Sequence, residues 1–230
     1  MSDREVIRTI VRTLYDFQDL RIRLAGRLRK KANEEDMEMP PDADEIDLED
    51  SALPIVKRTW GEMVKWEAEL KKVLAAELKG IPIYESFLKD VKGIGPQLAG
   101  VIISEYDITK APTVSNLWSF TGLAPGKDKL VKGQKATFNK WLRTKMCGVL
   151  AGSFLKCGSP YRQFYDNMKA RLEQEEGWKD EPKPGHRHHA ALRYMIKMFL
   201  KDLYVSWRTV EGLSVRPPYE EEYLGRKHSA

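Results

Sequence analysis

The residues of this chain with the clearest chemical potential lie in Leu88-Lys89-Asp90-Val91-Lys92-Gly93-Ile94-Gly95-Pro96-Gln97-Leu98-Ala99, where two glycines flank an aliphatic residue and a proline follows. Phe87, Leu88 and Val91 before the glycines, and Leu98, Val101 and Ile102 after them, recur at helical spacing, so two short helices flank a tight turn. Gly93 and Gly95 are free to take positive φ or to let another backbone come close, and Pro96 has no N–H to lose at a first helical position. The second helix therefore opens with amides at its positive end. Those of Gly93, Gly95, Gln97 and Leu98 are placed to converge on one phosphate oxygen, helped by the helix dipole and by Lys92. Such a site grips a nucleic-acid backbone without reading bases. The competing reading is an ordinary helical turn whose glycines serve only packing.

A second basic region runs from Lys127 to Lys145, with seven basic residues (Lys127, Lys129, Lys132, Lys135, Lys140, Arg143, Lys145) against one acid, Asp128. It suits a surface that follows a phosphate backbone. Other reactive types are less ordered. Asp90, Glu105, Asp107 and Asp166 are scattered as on solvated helix faces, where a metal-dependent nuclease needs converging carboxylates. His186, His188 and His189 cluster without an i, i+4 pair or nearby Cys or acid partners, which fits a polar, partly cationic cap better than a metal site. Cys147 and Cys157 match neither a zinc pattern nor a disulfide framework and read as buried, reduced thiols. Trp118, Trp141 and Trp207 sit among aliphatics at helical spacing, which favours core packing over base stacking.

The chain has 230 residues, 42% hydrophobic and 32% charged, enough for a substantial core. Its formal charge of +5 conceals an asymmetry, because Glu34 to Asp50 holds ten acidic residues and no Lys or Arg. Outside that tract 39 basic side chains face 24 acidic ones, a net of +15 that points to a polyanionic partner. No run approaches the roughly 18 apolar residues needed to span a membrane, so the expected location is cytoplasmic, associated with the nucleoid.

The elements expected to position these residues are helical. Ile7, Ile10, Leu14, Phe17, Leu24 and Leu28 predict a long amphipathic helix from Arg4 to Lys31, with Arg21 interrupting the stripe. Val56, Trp60, Met63, Leu70, Val73, Leu74 and Leu78 predict a second from Leu53 to Lys79. The acidic tract 34–50, with Pro40-Pro41, forms a mobile link, and the two helices fold back as a hairpin. Their stripe either packs on the molecule's own core or pairs with a second copy as a coiled-coil or four-helix homodimer. Gly80 and Pro82 mark the border to a domain over 81–213, and 214–230 is a polar tail. Within the domain, Val114 to Phe120 is a short helix followed by the turn Gly122-Leu123-Ala124-Pro125-Gly126. Thr137 caps a helix bearing Phe138, Leu142, Val149 and Leu150, with Gly148 and Gly152 permitting a close helix crossing. Ser159-Pro160 caps a helix with Tyr161, Phe164, Tyr165, Met168 and Leu172. The last helix, from His188 to Val210, is apolar nearly all round and should be buried. The fold class is all-α.

Three blocks, Val91-Lys92-Gly93-Ile94-Gly95-Pro96, then Leu117-Trp118-Ser119-Phe120-Thr121-Gly122-Leu123-Ala124-Pro125, then Trp141-Leu142-Arg143, resemble in order and rough spacing the C-terminal domain of Piv-like DEDD transposases and invertases of insertion sequences. The similarity covers about Ile81 to Leu213. It implies a DNA-contacting helix-hairpin-helix domain, joined in that family by a two-helix coiled coil to a Ruv-C-like nuclease domain, and carrying a serine nucleophile. The chain departs from the family in both catalytic parts. Fewer than 85 residues precede the hairpin and read as helix, whereas a Ruv-C-like domain needs about 120 with strands and spaced carboxylates. Lys127-Asp128-Lys129-Leu130-Val131-Lys132-Gly133, where the serine belongs, contains none. Helix-hairpin-helix proteins in general also bind a monovalent cation, K+ or Na+, at hairpin carbonyls, which places it at Lys89, Val91 and Ile94. Base-excision glycosylases share the hairpin, but here Gln97 stands in place of their lysine and Ser115 in place of their aspartate, and two cysteines cannot hold a four-cysteine cluster. The resulting expectation is a sequence-tolerant binder of duplex or branched DNA without catalysis of its own. The alternatives are a protein-interaction module with a remnant hairpin, or the DNA-binding subunit of a transposase or recombinase whose nuclease subunit is separate.

Overall fold

A helix of 27 residues, Pro184–Val210, organises the larger part of the chain through one buried face. It is not the nearly all-round apolar helix that its sequence predicts, since His189, Asp202, Val205 and Thr209 are exposed and Lys197 and Lys201 half-exposed on the other side. Ala191, Met195, Ile196, Phe199, Leu200 and Leu203 are fully buried, and each aliphatic or aromatic side chain so removed from water contributes about 1.5–3 kcal/mol. The computed structural model describes residues 3–28, 54–124, 133, 135–178 and 184–217, and among these there is helix and no strand. In order the helices are α1 (Asp3–Leu28), α2 (Pro54–Leu78), α3 (Pro82–Ser86), α4 (Pro96–Glu105), α5 (Val114–Thr121), α6 (Lys140–Thr144), α7 (Ala151–Cys157), α8 (Arg162–Gln174) and α9 (Pro184–Val210). Single 3-10 turns occupy Leu88–Asp90 and Ile108–Lys110, and a π turn, Lys145–Leu150, joins α6 to α7. The fold is all-α, as its periodicities indicate. The acidic link 34–50 lies outside the described residues.

The chain divides into two units, residues 1–77 and 78–230. In the first, α1 and α2 meet where Phe17 packs edge-on against Trp66, ring centroids 5.5 Å apart, and where Arg21 Nε donates to Glu67 Oε2 at 2.6 Å. Arg21 does not interrupt the buried stripe. It is 4% exposed and belongs to it, together with Ile7, Val11, Leu14 and Ala25, because a carboxylate waits opposite. Glu67 also receives Lys71 Nζ at 2.8 Å. Burial alone pushes the Glu67 carboxyl up, but Lys71 and Arg21 outweigh it and hold the group below the ordinary carboxylate value. Val73, expected on the apolar side, is exposed.

In the second unit α9 packs against α3, α5, α7, α8 and the π turn. Arg208, 6% exposed, ties its C-terminal end down: Nη1 donates to the carbonyls of Ile108 and Ala111 at 3.2 and 2.9 Å, and Nε to that of Ser214 at 2.5 Å. Tyr204 Oη–H donates to Pro112 O at 2.7 Å and accepts from the Arg216 amide at 3.3 Å. The start of the expected polar tail is therefore bonded back to α9, and its remainder from 218 lies outside the described residues.

Several local expectations are corrected. Thr137 does not cap α6. Asn139 does, its side chain accepting from the Leu142 amide at 3.0 Å, because Thr137 and Phe138 are still needed to bring the chain under Gly122. Ser159 does not cap α8, which starts at Arg162. Its hydroxyl is buried without a partner, and the Ser159 carbonyl takes the Arg162 amide instead. Gly148 and Gly152 serve no close crossing, since a Cβ at either position would meet nothing within 4 Å. Cys157 is exposed and Cys147 half-buried, so neither is the buried thiol expected.

Gly122 shows why the second block of the motif has its residue order. It ends α5 in the left-handed region at φ +74°, letting its own amide reach Ser119 O and the Leu123 amide reach Trp118 O at 2.7 Å. A Cβ there would lie 2.6 Å from the Phe138 ring. Gly122→Ala combines left-handed strain with an overpacked contact and should destabilise the unit by about 2–4 kcal/mol in urea unfolding. A loss below about 0.5 kcal/mol would show that the turn does not need glycine.

Candidate nucleic-acid interface

The hairpin begins with α3, whose Ser86 hydroxyl donates back to Pro82 O at 2.7 Å. Phe87 then leaves helical geometry at φ −143°, and its ring stacks on Phe199 at 6.3 Å. The first arm is thus a five-residue helix plus the Leu88–Asp90 3-10 turn, not one continuous helix. The Ile94 amide closes the bend onto Val91 O at 3.0 Å, and α4 follows from Pro96 with Gly95 as its N-cap. Ile94 and Leu98 are buried, while Lys92, Gly95 and Pro96 are exposed.

The two glycines have different jobs. Gly93 takes φ +100°, and a Cβ on it would lie 3.0 Å from the Phe154 ring and 3.3 Å from Ser153 Oγ. Its carbonyl accepts from that same hydroxyl at 2.7 Å. Packing and conformation inside the chain therefore account for Gly93. Gly95 contrasts in both respects: at φ −93° and ψ 175° it is extended backbone open to any residue, and nothing lies within 4 Å of its Cβ position. Among the described residues no backbone acceptor is bonded to the amides of Gly93, Gly95 or Leu98. Gln97, half-buried, engages other groups of the chain.

Of the carbonyls assigned to a cation, that of Val91 already accepts the Ile94 amide, and Lys89 and Ile94 flank the same bend. The Lys89 ammonium is held by Glu85 at 2.8 Å.

Lys127, Lys129 and Lys132 are outside the described residues. Lys135 and Lys140 are exposed. Lys140 directly follows Asn139, whose Nδ2 donates to Glu105 Oε2 at 2.7 Å, and Glu105 is the last residue of α4. The bend and Lys140 thus sit toward opposite ends of a ten-residue helix, about 15 Å apart along its axis. A DNA duplex carries one charge per about 1.7 Å, so that interval matches several phosphates and not a single one. Arg143 is half-buried, its guanidinium over the Phe138 ring at 5.0 Å.

The scattered acids stay apart: Asp107 pairs with Lys110, Asp166 with Arg162, and Glu105 is buried against Asn139. Among the described residues no group of three or more His, Cys, Asp or Glu is placed to hold a metal ion, and no helix is long and apolar enough to cross a membrane. Trp118 and Trp207 are buried, whereas Trp141 is half-buried under the Lys145 ammonium. Searches against protein-family models, curated proteins and solved structures find no match to this chain.

The histidines lie within the first turns of α9. His188 Nδ1 is 2.8 Å from Tyr165 Oη on α8, and burial, then the neighbouring His189 and Lys169, lower its pKa. The folded state thus prefers the neutral ring. Above the ordinary histidine value this contributes stability, and as pH falls from about 6.5 through the lower folded value the contribution is lost. A titration followed by histidine NMR should place the His188 midpoint below the ordinary histidine value of about 6.5. A midpoint at or above the ordinary value would refute the packing of this ring.

Proposed function

We propose that the chain is a sequence-tolerant DNA-binding protein related to a transposase C-terminal domain. It holds the backbone of duplex or branched DNA through the amides of Gly93, Gly95, Gln97 and Leu98 with Lys92, and through a lysine surface that includes Lys127, Lys129, Lys132, Lys135 and Lys140 with Arg143. A K+ or Na+ ion at the Lys89, Val91 and Ile94 carbonyls would tighten the bend. The observation that carries this reading is Gly95: neither backbone conformation nor internal packing asks for glycine there, and the open space lies at the positive end of α4. A bare, exposed backbone of this kind lets a phosphate come within hydrogen-bond reach of main-chain nitrogens. The +15 balance outside the acidic tract supplies the long-range attraction.

Gly95→Val fills that space without touching the core. It should cost no more than about 1 kcal/mol of urea stability, through the poorer N-cap, and weaken binding to unrelated duplexes alike, by about tenfold in gel-shift titrations. Wild-type affinity should fall steeply between 50 and 200 mM salt, with a slope of about −4 to −5 in log–log form for roughly five phosphates. Unchanged binding by the variant, or salt-insensitive binding by the wild type, would overturn the reading.

A second reading, association through the N-terminal helices, is favoured by Ile55, Trp66 and Val73, which recur at spacings of eleven and seven on one stripe of α2 and are 63%, 46% and 47% exposed. If a second copy covers that stripe, sedimentation should show a dimer that Val73→Lys converts to monomer. A wild-type monomer at high micromolar concentration would exclude it.

A further inference from the structure

α6 with its π turn and α9 lie against each other in the second unit, and each offers one pair of side chains a helical turn apart at the same place. Arg143 and Cys147 come from the first element, His189 and Arg193 from the second. With Leu192 they line a pocket of about 230 Å3. The two pairs are more than forty residues apart in sequence, so only the fold brings them together.

The lining has one chemical character. Two guanidiniums, an imidazole and a thiol are all able to donate hydrogen bonds, and no carboxylate is among the lining residues. Cys147 adds no negative charge: burial pushes its thiol up, and the opposing pull of Arg143 and then Arg193 does not reverse the shift. Arg143 is held in place by the Phe138 face beneath its guanidinium at 5.0 Å, and Leu192, 8% exposed, supplies an apolar wall. Planar guanidiniums match the oxygens of a tetrahedral oxyanion in bidentate fashion, which a lone ammonium cannot do.

Size narrows the ligand. Sites for drug-sized molecules and cofactors usually enclose about 300–1,000 Å3, and at about 230 Å3 this pocket lies below that range. The half-open pocket has room for one oxyanion with waters, and the rest of a larger ligand would lie outside it.

We propose that Arg143, Cys147, His189 and Arg193 form a phosphate-binding pocket, which takes either inorganic phosphate or the terminal phosphate of a DNA strand. The pocket does not depend on the hairpin. Arg143 is shared with the DNA-binding reading, but Arg193 belongs to this pocket alone and is the residue to test.

The two cysteines provide the readout, since Cys157 is exposed on α7 and Cys147 lies in the pocket. Iodoacetamide alkylation of the full chain is followed residue by residue by mass spectrometry, with inorganic phosphate or with chloride at equal ionic strength. Phosphate should slow Cys147 alkylation at least fivefold and leave Cys157 unchanged. Arg193→Gln should abolish the protection, and so should His189→Ala, an exposed position that serves if the first variant fails to fold. Gly95→Val should retain it, which separates failure of this pocket from failure of the hairpin. If an oligonucleotide with a 5′-phosphate protects Cys147 at concentrations where its 5′-hydroxyl counterpart does not, the physiological ligand is a strand end. Protection by inorganic phosphate alone assigns the pocket to the free ion. Equal alkylation in phosphate and chloride, with no effect of either oligonucleotide, or protection that persists in both variants, would overturn the proposal.

Discussion

The contact on which the hairpin depends is that of the Gly93 backbone with the Phe154 side chain. Phe154 is fully buried, its ring centroid 5.2 Å from that of Tyr161 and 5.5 Å from that of Phe199. Phe199 in turn is stacked by Phe87, at the other end of the bend. The turn is thus gripped on both sides by one aromatic cluster centred on α9. A side chain at residue 93 would intrude on that cluster, and the Ser153 hydroxyl closes the remaining gap by bonding the Gly93 carbonyl. A short bend of weak intrinsic helicity acquires a defined shape because it rests on a rigid floor. Its exposed edge, Lys92 and Gly95-Pro96, is what remains for an external partner.

α4 then sets the spacing of everything else. Eight consecutive residues, Leu98 to Glu105, are buried, so the helix runs through the unit and joins the bend to Asn139 and Lys140. Glu105 is a buried acid at the helix C-terminus, where the dipole disfavours negative charge. The Asn139 amide compensates by hydrogen bonding. The same Asn139 caps α6 and donates its backbone amide to Phe120 O at 2.9 Å, so one residue links the glycine-ended turn of α5, the end of α4 and the start of α6. The bend and Lys140 are held a fixed distance apart by covalent and hydrogen-bonded structure.

The elements with strong periodicity were readable from the sequence alone. α1, α2, α5 and α9 lie where their apolar repeats place them, because 3.6-residue periodicity is a local property. The readings that failed turned on long-range partners. Arg21 looked like a break in a stripe because Glu67, 46 positions later, is invisible to a local pattern. Thr137 and Ser159 are sound caps by type, but Phe138 must first pass under Gly122, and Pro160 and Tyr161 form a turn ahead of α8. The hairpin glycines were conspicuous, yet the division of labour between them depends on Phe154, about sixty residues away. The Arg143, Cys147, His189, Arg193 pocket carried only a faint signal: two i, i+4 pairs of polar residues, one on each of two amphipathic helices.

The π turn between α6 and α7 has a geometric effect on that stretch. Leu142, Met146, Leu150 and Phe154 recur every four residues, and all four are fully buried. On a plain α-helix a four-residue step overshoots a full circle by about 40°, so the last of them would have turned about 120° away from the first. The wider winding from Lys145 to Leu150 takes up this overshoot and keeps the row in line. One residue further on, Arg143 and Cys147 ride the same corrected register. A shorter relative that loses one residue inside this stretch would regain ordinary winding and still keep its flanks aligned, because eleven steps of about 100° come within about 20° of three full turns, leaving Phe154 under the bend it supports.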